Sequence, residues 1–178
     1  MAFSHLTDVC VSVCHPLTAL RLSNVRGCQF YVGPVAGSVH IEHAENCLFV
    51  TSSRQIRIHS ATKCDFYVFV LSNPIIEHSS ALRFAPYALQ YPQLLTQLQA
   101  SLLEDKPSPL APSSAEAHST VPSPTTTTAA TIDWSTMSSN ANMWARVDDF
   151  NWLRSQPSPN WAVLPADERQ VFTPRKPP

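Results

Sequence analysis

Apolar and polar residues alternate along residues 52–64, which read SSRQIRIHSATKC. The isoleucines of this stretch alternate with the polar residues Gln55, Arg57 and His59. Alternation with a period of two is typical of a β-strand that has one buried and one exposed face. The pattern therefore predicts a strand with Arg57 on its exposed face. It leaves open whether that arginine is only solvated or is functional.

The same alternation recurs along the first half of the chain. Cysteines at positions 10, 28, 47 and 64 are separated by 18, 19 and 17 residues. Aligning the segments on the last three cysteines reveals four apolar columns, namely Leu20, Val39 and Ile56; Leu22, Ile41 and Ile58; Val25, Ala44 and Ala61; and Phe30, Phe49 and Phe66. A less regular turn follows, with Ile76, Leu82 and Phe84. So short a period predicts an all-β fold, a parallel β-helix whose strands stack about 4.8 Å apart.

The cysteine column is interpreted as a ladder of small buried side chains. The spacings do not resemble the paired C-x₂-C arrangement of zinc sites, so we expect no metal. Two polar columns lie between the apolar ones, namely Arg21, His40 and Arg57, and Ser23, Glu42 and His59. They are expected to point outward on one wall of the solenoid, either as a solvated strand face or as a functional patch.

The β-helix domain is predicted to cover residues 1–90. An amphipathic helix is predicted at residues 91–104, where leucines recur at positions 94, 95, 98, 102 and 103. Residues 105–140 are rich in Pro, Ser and Thr and predict a disordered linker. Residues 141–178 form a tail that carries three of the four tryptophans, so we expect this tail to pack on the β-helix.

Composition narrows the classes of function. The chain has 178 residues, a net charge of −1 and a pI near 6.6, so we expect no nucleic-acid partner. The start, MAFSHLTD, lacks signal-peptide features, and Ala2 excludes N-myristoylation, so we expect no membrane anchor. The five cysteines are expected to be reduced thiols in the cytosol. Only three glycines are present, with no glycine-rich phosphate loop, so we expect no bound nucleotide or other cofactor.

Several motifs resemble the tubulin-binding cofactor C family. In chain order they are GPVAGSV, RQIRIH, CDFYVFV, PIIE and RFAPY, followed in the tail by VDDFNWL and SPNW. Together they cover roughly residues 15–87 and 145–165. The tail motifs favour the tubulin cofactor branch. The helical, spectrin-like domain with which such proteins usually begin has no counterpart here, so we expect a short form.

The resemblance implies a right-handed parallel β-helix and a GTPase-activating function. In this family the arginine of the Gln-x-Arg motif acts as an arginine finger, which corresponds to Arg57, with Gln55 as the second catalytic residue. Such a finger stabilises the charge that develops on the transferring phosphoryl group. The resemblance further implies partner binding by residues in the matching motifs, namely His59, Glu77, Phe84 and Tyr87.

The resemblance also implies partners. The first expectation is αβ-tubulin, together with tubulin cofactors D and E, in the last step of heterodimer folding and release. The chain would then be a cytoplasmic, cytoskeleton-associated monomer. A second possibility is an Arf-like small GTPase, the client of a related branch. A third is a non-catalytic binding module, as in the cyclase-associated proteins, whose β-helix binds actin without an arginine finger.

Overall fold

The computed structural model describes residues 1–103 and 142–174. The β-strands are β1 (Ala2–Thr7), β2 (Cys10–Val13), β3 (Leu20–Arg26), β4 (Gln29–Glu45), β5 (Leu48–Thr62), β6 (Asp65–Val70), β7 (Ile75–Glu77), β8 (Leu82–Pro86), β9 (Asp148–Asp149) and β10 (Trp161–Val163). The helix α1 (Leu94–Leu98) continues into a π-helical turn (Gln99–Leu103), and a 3₁₀ turn (Ala166–Glu168) follows β10. The predicted linker at residues 105–140 lies outside the described residues.

The strands stack in parallel and form a β-helix. The stacking order is β1-β3-β4-β5-β6-β8-β10, with β2 on β4, and β7 between β5 and β9. The long strands β4 and β5 bend and contribute to two walls. One wall contains β3, residues 38–45, residues 55–62 and β7, and the other contains residues 29–35, residues 48–53, β6 and β8.

The strand register confirms the columns that the repeat predicts. Leu20 pairs with Val39, and Val39 pairs with Ile56. The second apolar column continues from Ile58 to Ile76 in β7. The phenylalanine column continues from Phe66 to Phe84. The apolar positions of successive turns therefore lie above one another and form one continuous core.

Stacked phenylalanine rings form the centre of that core. Successive ring centroids of Phe30, Phe49, Phe66 and Phe84 lie 5.4, 5.0 and 5.1 Å apart, with the rings nearly parallel. Trp161 of the tail meets the last ring edge-on at 5.9 Å. Because in-register parallel strands repeat every 4.8 Å or so, identical rings at one position must stack.

Each turn bends at two residues that have positive φ. They form two columns, His5, Asn24, His43, Ser60 and His78, and Asp8, Gly27, Asn46, Lys63 and Ala81. Within a turn the two positions are three residues apart. Glycine, asparagine and aspartate tolerate this left-handed backbone, and the other residue types are held there by the stacked turns around them. A side chain at Gly27 would also collide with the carboxylate of Asp8.

The second wall is buried on its inner face and over most of its outer face, where Gln29 and Arg83 remain exposed. Its inward side chains belong to the phenylalanine core, while Tyr67, Phe69 and Tyr87 form a second cluster on the outside. Leu94 and Leu98 of α1 cover this outer cluster. Burial on both faces explains why the CDFYVFV segment is apolar without alternation.

The helix differs from its predicted form. The spacing of the leucines places Leu95 on the apolar stripe, but this residue is 42% exposed. Only Leu94–Leu98 is α-helical, and the chain then changes to the wider π-turn. Leu94 and Leu98 are four residues apart and share the buried face of the α-helix, whereas Leu95 lies off that face.

The tail adds strands to the C-terminal end of the solenoid. β9 pairs with β7, β10 pairs with β8, and Phe172 bridges to Leu89. The side-chain oxygen of Asn142 accepts a hydrogen bond of 3.0 Å from the backbone N–H of Val70. Both walls thus continue into the tail, which pairs backbone groups that would otherwise be a free sheet edge.

Cys47→Ser is expected to lower the free energy of unfolding by about 1–3 kcal/mol. Cys47 is 4% exposed, and its thiol donates to the carbonyl of Glu45 at 3.2 Å. Because a C–O bond is shorter than a C–S bond, the hydroxyl of serine would lie too far from the Glu45 carbonyl to donate to it. The cysteine column is buried, so no water would replace this acceptor. Chemical denaturation measures the loss. Cys10→Ser is the control, since Cys10 is exposed. An equal free energy of unfolding for the two variants would contradict a buried cysteine column.

Candidate functional site

The first wall presents the predicted polar columns to solvent. We call its outer face the Arg57 wall, formed by β3, residues 38–45, residues 55–62, β7 and β9. Across it, Arg21, His40 and Arg57 are in register, followed by Ile75 and Asp148. Beside this column, Glu42, His59 and Glu77 are in register. Strands paired on both sides hold these positions more rigidly than a loop would.

Arg57 extends from the middle of this wall. Its neighbouring strand positions, Ile56 and Ile58, are 0% and 1% exposed, whereas Arg57 is exposed. Within the part of the chain that the structure describes, its guanidinium makes no hydrogen bond or ion pair. By contrast, Arg21 donates to Glu42 at 2.8 Å, and Arg83 forms a bidentate pair with Asp65 at 2.7 Å. No described residue therefore occupies the donors of Arg57, and a partner could accept from them.

A shallow cleft of about 250 Å³ opens beside Arg57. It is lined by Arg21, His40, Glu42, Arg57, Ile58, His59, Ile75 and Glu77. Charged and imidazole side chains thus surround an apolar floor. Of the predicted site residues, the cleft brings together Arg57, His59 and Glu77. It also contains Arg21, His40 and Glu42, which the repeat alignment places on the wall but does not single out as functional.

His59 belongs to a group of histidines at the edge of the wall. Its ring is edge-on to His78 at 5.2 Å and to His43 at 6.1 Å. Its Nδ1 lies 3.1 Å from the hydroxyl of Ser60. His43 and His78 occupy the left-handed corner positions, which turns their rings toward His59. Packing between rings therefore fixes the orientation of His59 beside the cleft.

Gln55 lies on the same strand as Arg57 but outside the residues that line the cleft. It is half-buried, pairs in register with Ser38, and its carbonyl accepts a hydrogen bond of 3.1 Å from the hydroxyl of Ser53. Residues two apart in a strand share a face. Gln55 is therefore positioned to contact whatever meets Arg57 from that side.

Phe84 and Tyr87 lie in the core, not on the wall. Their exposed fractions are 0% and 1%. Phe84 stacks on Phe66, and the hydroxyl of Tyr87 donates to the carbonyl of Val32 at 3.0 Å. The expectation that these side chains bind a partner directly is corrected by their burial. The RFAPY motif instead supports the second wall of the solenoid.

The described residues contain neither a cluster suited to a metal ion nor a membrane-spanning helix. In residues 1–103 and 142–174, no group of three or more His, Cys, Asp or Glu side chains is arranged to hold a metal ion. The described helices include none that is long and apolar enough to cross a membrane.

The fold and the wall together define a parallel β-helix domain that presents to solvent an arginine without a hydrogen-bond or ion-pair partner among the described residues. The family model for tubulin binding cofactor C matches residues 1–109 of the chain. The chain therefore belongs to the tubulin-binding cofactor C family.

Relatives of known name agree with this assignment. The chain is 38% identical to a tubulin-folding cofactor C of Arabidopsis thaliana, over 93% of this chain and 38% of that protein. It is 31% identical to a tubulin-specific chaperone C of Mus musculus, over 94% of this chain and 40% of that protein. The chain thus spans about two fifths of the length of these relatives.

A solved structure supports the fold. The tubulin binding cofactor C from Leishmania major superposes with a TM-score of 0.69, covering 99% of this chain and 98% of that chain. The sequences are 22% identical over this match. The β-helix is thus retained although most side chains differ.

Proposed function

We propose that this chain is a GTPase-activating module that supplies Arg57 as an arginine finger to the GTP site of β-tubulin. The observation that carries the proposal is the exposed guanidinium of Arg57, which has no partner among the described residues and stands on a wall of paired strands. An arginine held in this way needs little reorganisation to enter another protein's nucleotide site.

The chemistry of GTP hydrolysis requires positive charge at a defined point. Negative charge spreads over the oxygens of the transferring phosphoryl group in the transition state. A planar guanidinium donates to two such oxygens at once, which an ammonium group does not do. Arginine fingers supplied in trans raise the rate of hydrolysis by about 10³–10⁵-fold. We infer that Arg57 contributes in this way.

The neighbours of Arg57 would have supporting roles. Gln55 shares the face of the strand and would help to orient the partner's catalytic groups or the finger itself. His59 and Glu77 line the cleft beside Arg57 and would contact the partner's surface. In this proposal the partner binds the GTP, and the wall supplies the finger and the contacts around it.

Family membership supports tubulin as the client. Relatives that share 31–38% identity carry the names tubulin-folding cofactor and tubulin-specific chaperone. We infer a role in tubulin folding, in the cytoplasm and in association with the cytoskeleton. The finer proposal is that the chain acts with tubulin cofactors D and E on αβ-tubulin, at the step that releases the assembly-competent heterodimer.

The test is GTP turnover by αβ-tubulin with cofactors D and E, measured with and without the purified chain. We expect the chain to accelerate phosphate release. A parallel reaction contains a GTP-loaded Arf-like small GTPase. Stimulation of that GTPase alone would contradict the tubulin proposal, and binding to tubulin without any acceleration would identify a non-catalytic binding module.

A further inference from the structure

The side chain of Ser158 belongs to a hydrogen-bond network that closes the tail on itself. Its hydroxyl donates to Asp149 at 2.6 Å and accepts from the backbone N–H of Asn160 at 3.1 Å. The same carboxylate oxygen of Asp149 accepts from the side-chain amide of Asn160 at 2.7 Å, and the other accepts from the backbone N–H of Asn151 at 3.0 Å. Asp149 thus ties residues 158–160 to β9. The function proposed above uses none of these groups.

The carboxylate of Asp149 is held in its charged form. Burial would raise the pKa of Asp149, but the hydrogen bonds that it accepts, foremost that of Ser158, outweigh burial and hold the pKa below its usual value. A negative charge therefore lies at hydrogen-bond distance from the Ser158 oxygen, and the contact depends on the serine hydroxyl as donor.

This network adjoins the strand that borders the cleft. In β9, Asp149 pairs in register with Ile76, and Asp148 pairs with Ile75. Ile75 also lines the cleft beside Arg57. Because β9 has two residues, its pairing with β7 depends on the side chains that hold the tail in place. Loss of the Asp149 network would therefore free the edge of β7 next to the cleft.

The segment around Ser158 is open to another protein. Residues 153–157 are exposed and lie in no helix or strand. Pro159 follows Ser158, and a residue that precedes proline is restricted to extended backbone. A serine or threonine in an extended segment directly before proline is the acceptor that proline-directed protein kinases use. Exposure, backbone and sequence therefore agree at Ser158.

The chain has further sites of this kind. Three other serine or threonine residues precede proline, namely Ser108, Ser123 and Thr173. The first two lie outside the described residues. Thr173 is exposed, and its hydroxyl makes no hydrogen bond within residues 1–103 and 142–174. By contrast, modification of Ser158 would remove a hydrogen bond that closes the tail.

We propose that Ser158 is a phosphorylation site for a proline-directed protein kinase, and that its phosphorylation releases the tail from the Arg57 wall. In the transfer, the Ser158 oxygen bonds to the γ-phosphorus of ATP, the bond from that phosphorus to the bridging oxygen breaks, and ADP leaves. The catalytic aspartate of the kinase takes the hydroxyl proton. The product carries a charge of about −1.5 to −2 beside Asp149 and no longer donates to it. Like charges at this distance repel, so the network opens.

A cation in the same segment competes for the phosphate. Arg154 lies four residues before Ser158, and its guanidinium lies 4.9 Å from the centre of the Trp152 ring. Capture of the phosphate by Arg154 would forfeit that contact, whereas Asp149 already lies against the Ser158 oxygen. We therefore expect repulsion by Asp149 to decide the outcome.

The first part of the test locates the phosphate. The full chain with Ser108→Ala, Ser123→Ala and Thr173→Ala keeps Ser158 as its acceptor before proline. This chain is incubated with a purified mitogen-activated protein kinase and ATP, and mass spectrometry maps the product. We expect about one phosphate per chain, on Ser158. The same chain with Ser158→Ala is the control and should stay unmodified.

The second part measures release of the tail. The backbone amides of Asp148 and Phe150 donate to carbonyls of Pro74 and Ile76, so their hydrogen exchange reports the pairing of β9 with the wall. Phosphorylation should accelerate this exchange by at least about 10-fold, because the network that protects it opens.

Asp149→Asn is the matched control for charge. Asparagine has the size of aspartate, but it is neutral, and its amide donates to a phosphate oxygen instead of repelling it. Phosphorylation of Ser158 in this variant should leave the exchange close to its unmodified rate. An equal acceleration with and without the Asp149 charge would contradict release by repulsion.

The consequence for activity rests on the proposed function. Because the freed edge of β7 contains Ile75 of the cleft, the phosphorylated chain should stimulate GTP hydrolysis by αβ-tubulin with cofactors D and E less than the unmodified chain does. Equal stimulation by the two forms would overturn this regulatory consequence.

The outcomes separate the inference from the finger. Absence of phosphate on Ser158, or a phosphorylated chain with unchanged or slower exchange, would overturn the inference even if Arg57→Ala abolished hydrolysis. Normal hydrolysis with Arg57→Ala, together with release of the tail on phosphorylation, would instead retain the inference and remove the finger.

Discussion

Arg57→Ala is expected to lower the stimulated rate of GTP hydrolysis by at least about 100-fold, the low side of what an arginine finger contributes. The variant should fold normally, because the Arg57 side chain is exposed and makes no hydrogen bond or ion pair with the described residues. Arg57→Lys should recover little of the rate, since an ammonium group cannot donate to two phosphoryl oxygens in one plane. Single-turnover hydrolysis by αβ-tubulin with cofactors D and E measures both variants.

Arg26→Ala provides the control for a lost surface arginine. Arg26 is exposed and pairs with Glu45 at 2.8 Å, at the ends of two wall strands, beyond the left-handed corners at Asn24 and His43 and outside the residues that line the cleft. Exposed ion pairs contribute little to stability, so this variant should fold and stimulate hydrolysis like the parent. Equal rates for Arg57→Ala and Arg26→Ala would contradict a catalytic role for Arg57.

The second large effect is on stability. Phe66→Ala is expected to lower the free energy of unfolding by about 3–5 kcal/mol, because it empties the middle of the ring stack. Phe66 is 0% exposed and contacts rings on both sides, with centroids 5.0 Å from Phe49 and 5.1 Å from Phe84. Neither neighbour can move into the gap without leaving its own strand register. Equilibrium denaturation in urea measures the change.

Phe150→Ala is the matched control for this prediction. It removes the same side chain from a site that is 53% exposed, and substitutions on the surface usually change stability by less than about 0.5 kcal/mol. If both variants lose the same small amount, the stacked column does not hold the turns together. A selective loss in Phe66→Ala would show that the stacked rings contribute to the stability of the fold.

The periodic part of the fold could be predicted from the sequence because it rests on a repeated physical requirement. Each turn must place apolar residues at the same inward positions, so Leu22, Ile41 and Ile58 recur at intervals that a single sequence reveals. The corners of the turns could not be predicted in the same way. Gly27 and Asn46 carry a signal for positive φ, but Lys63 and Ala81 adopt it without one. Their conformation is imposed by the stacked neighbours.

The pairing of the tail strands with the solenoid also could not be predicted from sequence patterns. β9 has two residues and β10 has three, so neither gives a periodic signal, and each pairs with a strand more than 70 positions earlier in the chain. What fixes these short strands is side-chain hydrogen bonding, such as that of Asn73 to Asp148 at 3.1 Å. Such contacts appear only once the solenoid is assembled.

The candidate site was predictable only in part. Alternation around Arg57 indicates an exposed side chain, and the structure adds that its guanidinium has no partner among the described residues. Sequence motifs do not distinguish surface from interior, which is why Phe84 and Tyr87 were expected at the interface although they lie in the core. Arg21, His40 and Glu42 join the cleft because the register stacks three turns of the solenoid.

The most direct test of the arginine finger is a structure of the chain bound to αβ-tubulin and cofactors D and E, with GDP and aluminium fluoride in the β-tubulin site. The fluoride complex stands in for the transferring phosphoryl group. We predict that the guanidinium of Arg57 lies within about 3 Å of the fluoride atoms. An Arg57 that stays in solvent, or that rests on the partner's surface away from the nucleotide, would contradict the proposal.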